Sequence, residues 1–224
     1  MNAPDWGRIP RPIVEQASII RTRPGQTLAN KVDGDEAVYV VRSGALMQSL
    51  TLTHALRQIT AIFHPGTMVR TASAPSSLAR IVAVRAGEIL RLRWPVFSEL
   101  MESNTEICRY FCRVTALEDA LKAIHMAALG RFDTQQRVAT YLVELAMRSG
   151  VRNTAGNPVC EMPLSRAEMA DYLGLNADTL SRTMSGLRAK GLIRHEDRNR
   201  TVVCQFDALA ALTPAAEALT TLLG

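Results

Sequence analysis

The chain has 224 residues, enough for two small domains. Hydrophobic residues make up 47% of it, which supports packed cores and excludes an intrinsically disordered chain. Its net charge of +5 suits an anionic partner. There is no basic-then-apolar leader and no unbroken apolar run of about 18 residues, so a soluble, cytoplasmic protein with no membrane partner is expected. Cys108, Cys112, Cys160 and Cys204 are too few for a disulfide scaffold and fit a reducing compartment.

Residues 1–94 read as β structure. Short branched runs at Val38–Arg42 and Leu46–Leu52 flank Ser43-Gly44. Leu56–Phe63 ends at His64-Pro65-Gly66, and Arg80–Arg85 and Ile89–Leu92 flank Ala86-Gly87-Glu88. Many short strands with regular turns predict an antiparallel barrel or roll.

Pro95 opens a long helical pattern over 95–130. Ile107, Tyr110, Val114, Leu117, Leu121, Ile124 and Ala128 recur at alternating spacings of three and four, a narrow heptad seam. A parallel pair of identical helices would use such a seam. Ile107, Tyr110, Val114, Leu117, Leu121 and Ile124 are therefore the candidate dimer interface. The competing reading packs the same stripe on the sheet of its own domain. Cys108 and Cys112 lie one turn apart, as a half-site for metal or a redox pair would. Burial against a sheet is the commoner fate of such cysteines and is expected here.

The region 131–224 carries the most specific pattern. Asp133 or Thr134 can cap a helix over Gln135–Arg148, and a polar loop leads to a short strand near Val159–Met162. Leu164–Lys190 then reads as a helix-turn-helix. Ser165 and Glu168 form a capping-box pair, Met169 and Ala170 sit inside the first helix, and Leu173 closes it. Gly174 supplies the left-handed turn residue. Asn176 and Asp178 offer oxygens that can cap the second helix, from about Ala177 to Lys190. Leu180, Met184 and Leu187 give that helix one apolar side. Its N-terminal part presents Asn176, Ala177, Asp178, Thr179, Ser181 and Arg182, where such helices meet base edges in the major groove. Leu192–His195 and Thr201–Phe206 read as a hairpin around Glu196–Asn199, which makes a winged helix. Helical stretches near Asp207–Leu212 and Pro214–Leu223 finish the chain. From Arg182 to Arg200 six basic residues, Arg182, Arg188, Lys190, Arg194, Arg198 and Arg200, face only Glu196 and Asp197. The basic helix and wing imply duplex DNA as partner, with Arg188 among the DNA-binding candidates and the wing's Arg198 and Arg200 placed for phosphates.

The order β-roll, long helix, winged helix, together with MPLSRAEMADYLGLNADTLSRTMSGLRAKGLI, resembles the CRP/FNR family of bacterial transcription regulators. The likeness is strongest over Met162–Leu212 and extends more loosely to VYVVRSGAL, RQITAIFHPG and AVRAGEILRLRWPVF. The implied fold is α+β: an N-terminal antiparallel β-roll of the cyclic-nucleotide-binding kind, a dimerisation helix and a C-terminal winged helix. Asp178-Thr179-Leu180-Ser181-Arg182 is similar to the E-x-x-S-R reading motif of the FNR and FixK branch. The resemblance implies that Arg182 reads a guanine, Ser181 a thymine or phosphate, and Asp178 the opposite strand, within a TTGA-like inverted repeat. Asp178 stands where that branch has the longer Glu. A homodimer that touches RNA polymerase is also implied.

The resemblance offers several sensors. A cyclic-nucleotide cassette needs a Gly-Glu pair and a later Arg-Ser or Arg-Thr. Here Gly66-Thr67-Met68-Val69-Arg70-Thr71-Ala72-Ser73-Ala74-Pro75 lacks the Glu, and Arg70-Thr71 lies too close to Gly66, so no response to cAMP is expected. An iron–sulfur cluster needs about four thiolates, and no cysteine precedes Cys108. Haem needs an axial ligand, for which His64 and His125 are the candidates facing the roll, and Cys160 and Cys204 could respond to oxidants near DNA. FixK-like members lack both cluster and cassette, so no cofactor is the expected state. The alternative is a roll gated by haem, nitric oxide or another effector. His54, His64, His125 and His195 are too scattered for a cupin-like metal enzyme, and no nucleophile elbow or phosphate loop occurs. No catalytic or metal residues are expected.

Overall fold

The computed structural model describes residues 8–53, 56–71, 78–149, 151–197 and 199–224. The chain divides into two compact units, one ending at Asp119 and one running Ala120–Gly224. The division falls inside a single helix.

The first unit is the antiparallel roll. A short helix α1 (Arg11–Gln16) leads into β1 (Ser18–Thr22), β2 (Lys31–Val32), β3 (Asp35–Val41), β4 (Ala45–Thr53), β5 (Leu56–Phe63), β6 (Met68–Arg70), β7 (Ala79–Arg85) and β8 (Gly87–Arg93). One sheet has the order β1-β8-β3-β2 with β6 also on β3, and the other has the order β5-β4-β7. The helix α1 and the strands β1, β2 and β6 were not read from the sequence, because they are too short or too polar to show periodicity.

Strand β3 explains the roll. Ala37, Tyr39 and Val41 point between the sheets and pack with Leu46, Phe63, Val69, Ile81 and Ile89. Val38 and Val40 point the other way and pack with Leu90, Leu92, Phe97, Ile107, Tyr110 and Val114. A strand covered on both faces needs a continuous apolar run, and AVYVV supplies it. The turn between β3 and β4 presses against the start of β8, where a side chain at Gly87 would collide with the backbone of Ser43.

The helical pattern after Pro95 is two helices rather than one: α2 (Trp94–Ser103) and α3 (Thr105–Arg131). Asn104 breaks it with an extended backbone (φ −140°, ψ 108°), and its Oδ1 accepts from the N–H of Glu106 at 2.9 Å. An Asn that satisfies the first amides of the following helix restarts it there.

Of the six residues expected in a seam between subunits, five are buried within the single chain and Ile124 is only half-buried. Ile107, Tyr110 and Val114 belong to the core that covers β3 and β8. The Tyr110 hydroxyl donates to the carbonyl of Gly66 at 2.8 Å, and burial pushes its phenol up. Leu117 and Leu121 are buried and Ile124 is half-buried. The roll's outer face needs an apolar cover, and Ile107, Tyr110 and Val114 provide it. Cys108 and Cys112 correct the expectation in the opposite sense, since both are exposed rather than packed on the sheet.

The second unit holds the end of α3, then α4 (Thr134–Ser149), β9 (Val159–Glu161), α5 (Arg166–Leu173), α6 (Ala177–Ala189), β10 (Ile193–His195), β11 (Arg200–Val203), α7 (Phe206–Ala210) and α8 (Ala216–Leu223). Its three strands pair in the order β10-β11-β9. Val138, Leu142, Leu145, Leu180, Val203, Leu209 and Leu219 are buried in this unit. Among the described residues, no helix is long and apolar enough to cross a membrane.

Candidate nucleic-acid interface

Local chemistry sets the two helices of the motif. The Ser165 hydroxyl accepts from the N–H of Glu168 at 3.3 Å, and the Glu168 carboxylate accepts from the N–H of Ser165 at 2.8 Å. This reciprocal capping box starts α5. Gly174 ends α5 in the left-handed region, at φ 62° and ψ 40°. A Cβ there would also lie 3.1 Å from the Leu129 side chain. Of the two oxygens offered as caps for α6, Asn176 is the one used: its Oδ1 accepts from the N–H of Thr179 at 2.7 Å. Asp178 then occupies the first turn, where its charge meets the positive end of the helix dipole.

The buried stripe on α6 decides which side chains face outward. Leu180, Met184 and Leu187 are buried, while Asn176, Asp178, Ser181, Arg182 and Arg188 are exposed and Thr179 is half-buried. Asp178, Ser181 and Arg182 therefore share the outer side at the start of the helix, the part that meets base edges in such motifs. Asn176 spends one lone pair of its side-chain oxygen on the cap and keeps its NH2 group for a partner. The Arg182 Nε lies 3.4 Å from its own helix's carbonyl at Asp178, leaving both Nη groups for an external acceptor. The Arg188 Nη2 donates to the Ser185 hydroxyl at 3.3 Å.

The turn is held from behind. Arg137 on α4 donates to the carbonyl of Leu173 at 3.2 Å and lies 3.4 Å from that of Gly174. These are orphan carbonyls at a helix C-terminus, and a guanidinium both satisfies them and suits the negative end of the dipole. Lys190 reaches from the end of α6 to the Gln135 side chain at 3.4 Å.

The wing is the β10–β11 hairpin, with His195 opposite Thr201. The Arg200 guanidinium pairs with Glu196 at 3.2 Å, both partly exposed. Arg198 lies outside the described residues. Ser165 and Arg166 stand exposed at the start of α5. Sequence reasoning missed Arg166 and His195 as parts of this surface and Arg137 as the support behind it. Position N1 after a capping serine was the available signal for Arg166, whereas Arg137 and His195 come from elements that meet the motif only in three dimensions.

The sensor candidates are also placed. Arg70, the would-be cassette arginine, is bound by Glu36 at 2.6 and 2.9 Å and lies 3.5 Å above the Trp94 ring. The Thr71 hydroxyl accepts from the N–H of Ala37 at 2.9 Å. Ala72, Ser73, Ala74 and Pro75 lie outside the described residues, as does His54. His125, a candidate haem ligand, stacks its ring on Tyr172 of α5. His64 contributes its carbonyl to the turn before β6, accepting from Thr67. Cys160 is fully buried and burial pushes its thiol up to about 12, so it is no thiolate at neutral pH.

With this geometry in view, the relatives agree in kind. Residues 136–212 match the Crp-like helix-turn-helix domain. The chain is 30% identical over 186 residues to the transcriptional activator protein Anr of Pseudomonas protegens, covering 80% of this chain and 75% of that protein. It is 28% identical over 222 residues to the nitrogen fixation regulation protein FixK of Azorhizobium caulinodans, covering 92% and 88%. The solved structure of FixK2 from Bradyrhizobium japonicum superposes with a TM-score of 0.75 at 28% identity, covering 89% of this chain and 98% of that one.

Proposed function

The chain belongs to the CRP/FNR family of transcription regulators, in its FixK-like branch, and we propose that it works as a homodimer reading a TTGA-like inverted repeat without cAMP. It is a DNA-binding regulator and not an enzyme. The observation that carries the finer reading is the outer side of α6. Burial of Leu180, Met184 and Leu187 turns Asp178, Ser181 and Arg182 outward together. An arginine fork on guanine O6 and N7 is the commonest specific contact in the major groove.

Dimerisation uses the side of α3 that the roll leaves open. Arg109, Cys112, Ala116, Asp119, Ala123, Met126 and Gly130 are all exposed and recur at spacings of three and four. Cys112, Ala116, Ala123 and Gly130 are small and let two parallel helices approach closely. A twofold axis along the pair puts two copies of α6 one DNA turn apart.

The roll serves without a cofactor. Glu36 and Trp94 hold Arg70, the cation a cyclic phosphate would need, and apolar side chains fill the space between the sheets. A cytoplasmic setting and contact with RNA polymerase through the roll complete the proposal. The test is binding of the untreated, full-length protein to a TTGAT-N4-ATCAA duplex against a scrambled one, at fixed salt. Specific binding is expected. Equal binding to both duplexes would sink the assigned half-site. A Soret band in the purified protein would replace the cofactor-free reading with a haem-gated one.

A further inference from the structure

His195 ends β10 beside the start of α5 and the end of α6. Its Nδ1 lies 3.0 Å from the Thr201 hydroxyl on β11. Its Nε2 lies 3.5 Å from Nη2 of Arg166, the first residue of α5. A guanidinium only donates, so Nε2 of the neutral ring accepts and the ring proton sits on Nδ1, toward Thr201. Arg188, in the last turn of α6, adds a second positive field at the ring. Burial first, then Arg166 and Arg188, hold the imidazole below its usual range.

The carboxylates of the wing and of α5 have partners of their own. On the wing, Glu196 pairs with Arg200 at 3.2 Å, and Asp197 accepts from the N–H groups of Asn199 and Arg200. On α5, Glu168 accepts from the N–H of Ser165. On β9, Glu161 stands across from Arg200 in the strand register. The Arg166 guanidinium of α5 thus meets one histidine from the wing, and the positive charge of Arg188 adds to its field there. Like charges brought together raise the free energy of the unliganded protein, and a bound anion relieves it.

We infer that Arg166 and His195 form one site for a backbone phosphate of the duplex, and that His195 enters it as the imidazolium. This rests on the DNA-binding reading above and adds a proton to it. A phosphodiester facing the ring favours its charged form, so binding takes up a proton. Affinity then rises as pH falls through the window between the depressed free value and the raised bound one. Above that window the ring is neutral in both states, and below it the ring is charged in both. Phosphate contacts carry no sequence information, so the gain is common to all duplexes.

The experiment measures binding of the full-length protein to the inverted-repeat duplex and to the scrambled one from pH 8 to pH 6 at fixed ionic strength. The native protein should gain about three- to tenfold in affinity on both duplexes, with a ceiling of tenfold per pH unit for one proton. His195→Gln should lose that gain and keep its preference for the repeat. Equal pH slopes in the two proteins overturn the proposal. No binding by either protein to any duplex at any pH overturns the DNA reading itself and this site with it. The His195 ring resonance of the native protein gives an independent measure. Its titration midpoint should rise on adding scrambled duplex, and a midpoint that stays put overturns the proposal.

Discussion

The imidazole of His125 lies flat on the ring of Tyr172, with centroids 3.9 Å apart and planes within 2° of each other. Tyr141 meets the same tyrosine edge-on at 5.6 Å. The end of α3, the middle of α4 and the first helix of the DNA-binding motif therefore share one aromatic cluster. Arg137 and Leu129 grip the motif's turn beside it. Tyr172→Ala should cost about 3–5 kcal/mol, the usual loss for a large buried aromatic. Amide hydrogen exchange along α5 is the local readout. His125→Phe keeps a flat ring in place and should leave exchange there close to native, whereas unchanged exchange in Tyr172→Ala would show that the cluster holds nothing.

Arg182 and Arg200 have different surroundings and should behave differently. Arg182→Ala should lose about 1–3 kcal/mol of discrimination at a single base position. A loss spread evenly over all sequences would mean a phosphate contact instead. Arg200→Ala should weaken every duplex alike and lower the salt slope by about one. Glu196 neutralises part of Arg200 in the free protein at 3.2 Å, so Glu196→Gln should tighten binding without changing preference.

The two sides of α3 can be told apart by substitution. Met126, 69% exposed, lies on the side proposed for the partner copy. Met126→Glu should yield a folded monomer in analytical ultracentrifugation, and mild oxidation should cross-link native dimers through Cys112. Ile107 is fully buried beneath the roll. Ile107→Ala should cost about 2–5 kcal/mol of the roll's stability and leave subunit association intact. A monomer from Ile107→Ala alone would reverse the assignment.

Thiol chemistry gives a pH prediction. The thiolate is the reactive form, and burial pushes Cys160 up to about 12, so at pH 8 Cys160 stays protonated and enclosed. Alkylation with peptide mapping should label the exposed Cys108 first, since Cys112 lies on the side proposed for the partner copy. Cys160 should react only after unfolding, and rapid native labelling of it would contradict the packing of β9.

Much of the second unit was legible because its rules are local. Ser165 with Glu168, Gly174, and the stripe Leu180, Met184 and Leu187 each act within one or two helical turns, so spacing alone reveals them. The use of the stripe on α3 was not legible. A seam of Ile107, Tyr110 and Val114 suits a partner helix and a sheet equally well, and only the presence of β3 and β8 beneath it decides. The open side of the same helix was hidden by its composition. Cys112, Ala116, Asp119 and Ala123 look like ordinary helix surface until the apolar side is known to be occupied. The pairing of Arg70 with Glu36 and Trp94 was illegible for a related reason, since it joins residues far apart in sequence through the register of β3 with β6 and β8.

The recognition helix divides its labour between two sets of residues. Leu180, Met184 and Leu187 hold α6 in place, and the turn before it is secured by Gly174 and Arg137. Asp178, Ser181 and Arg182 look outward. Selection can therefore act on the two sets separately. On the proposed reading, a duplicated gene can alter its operator preference through the outer set while the hidden set keeps the product foldable at every intermediate. One scaffold of this kind can diverge into many regulators, each tuned to different promoters, without passing through an unstable ancestor.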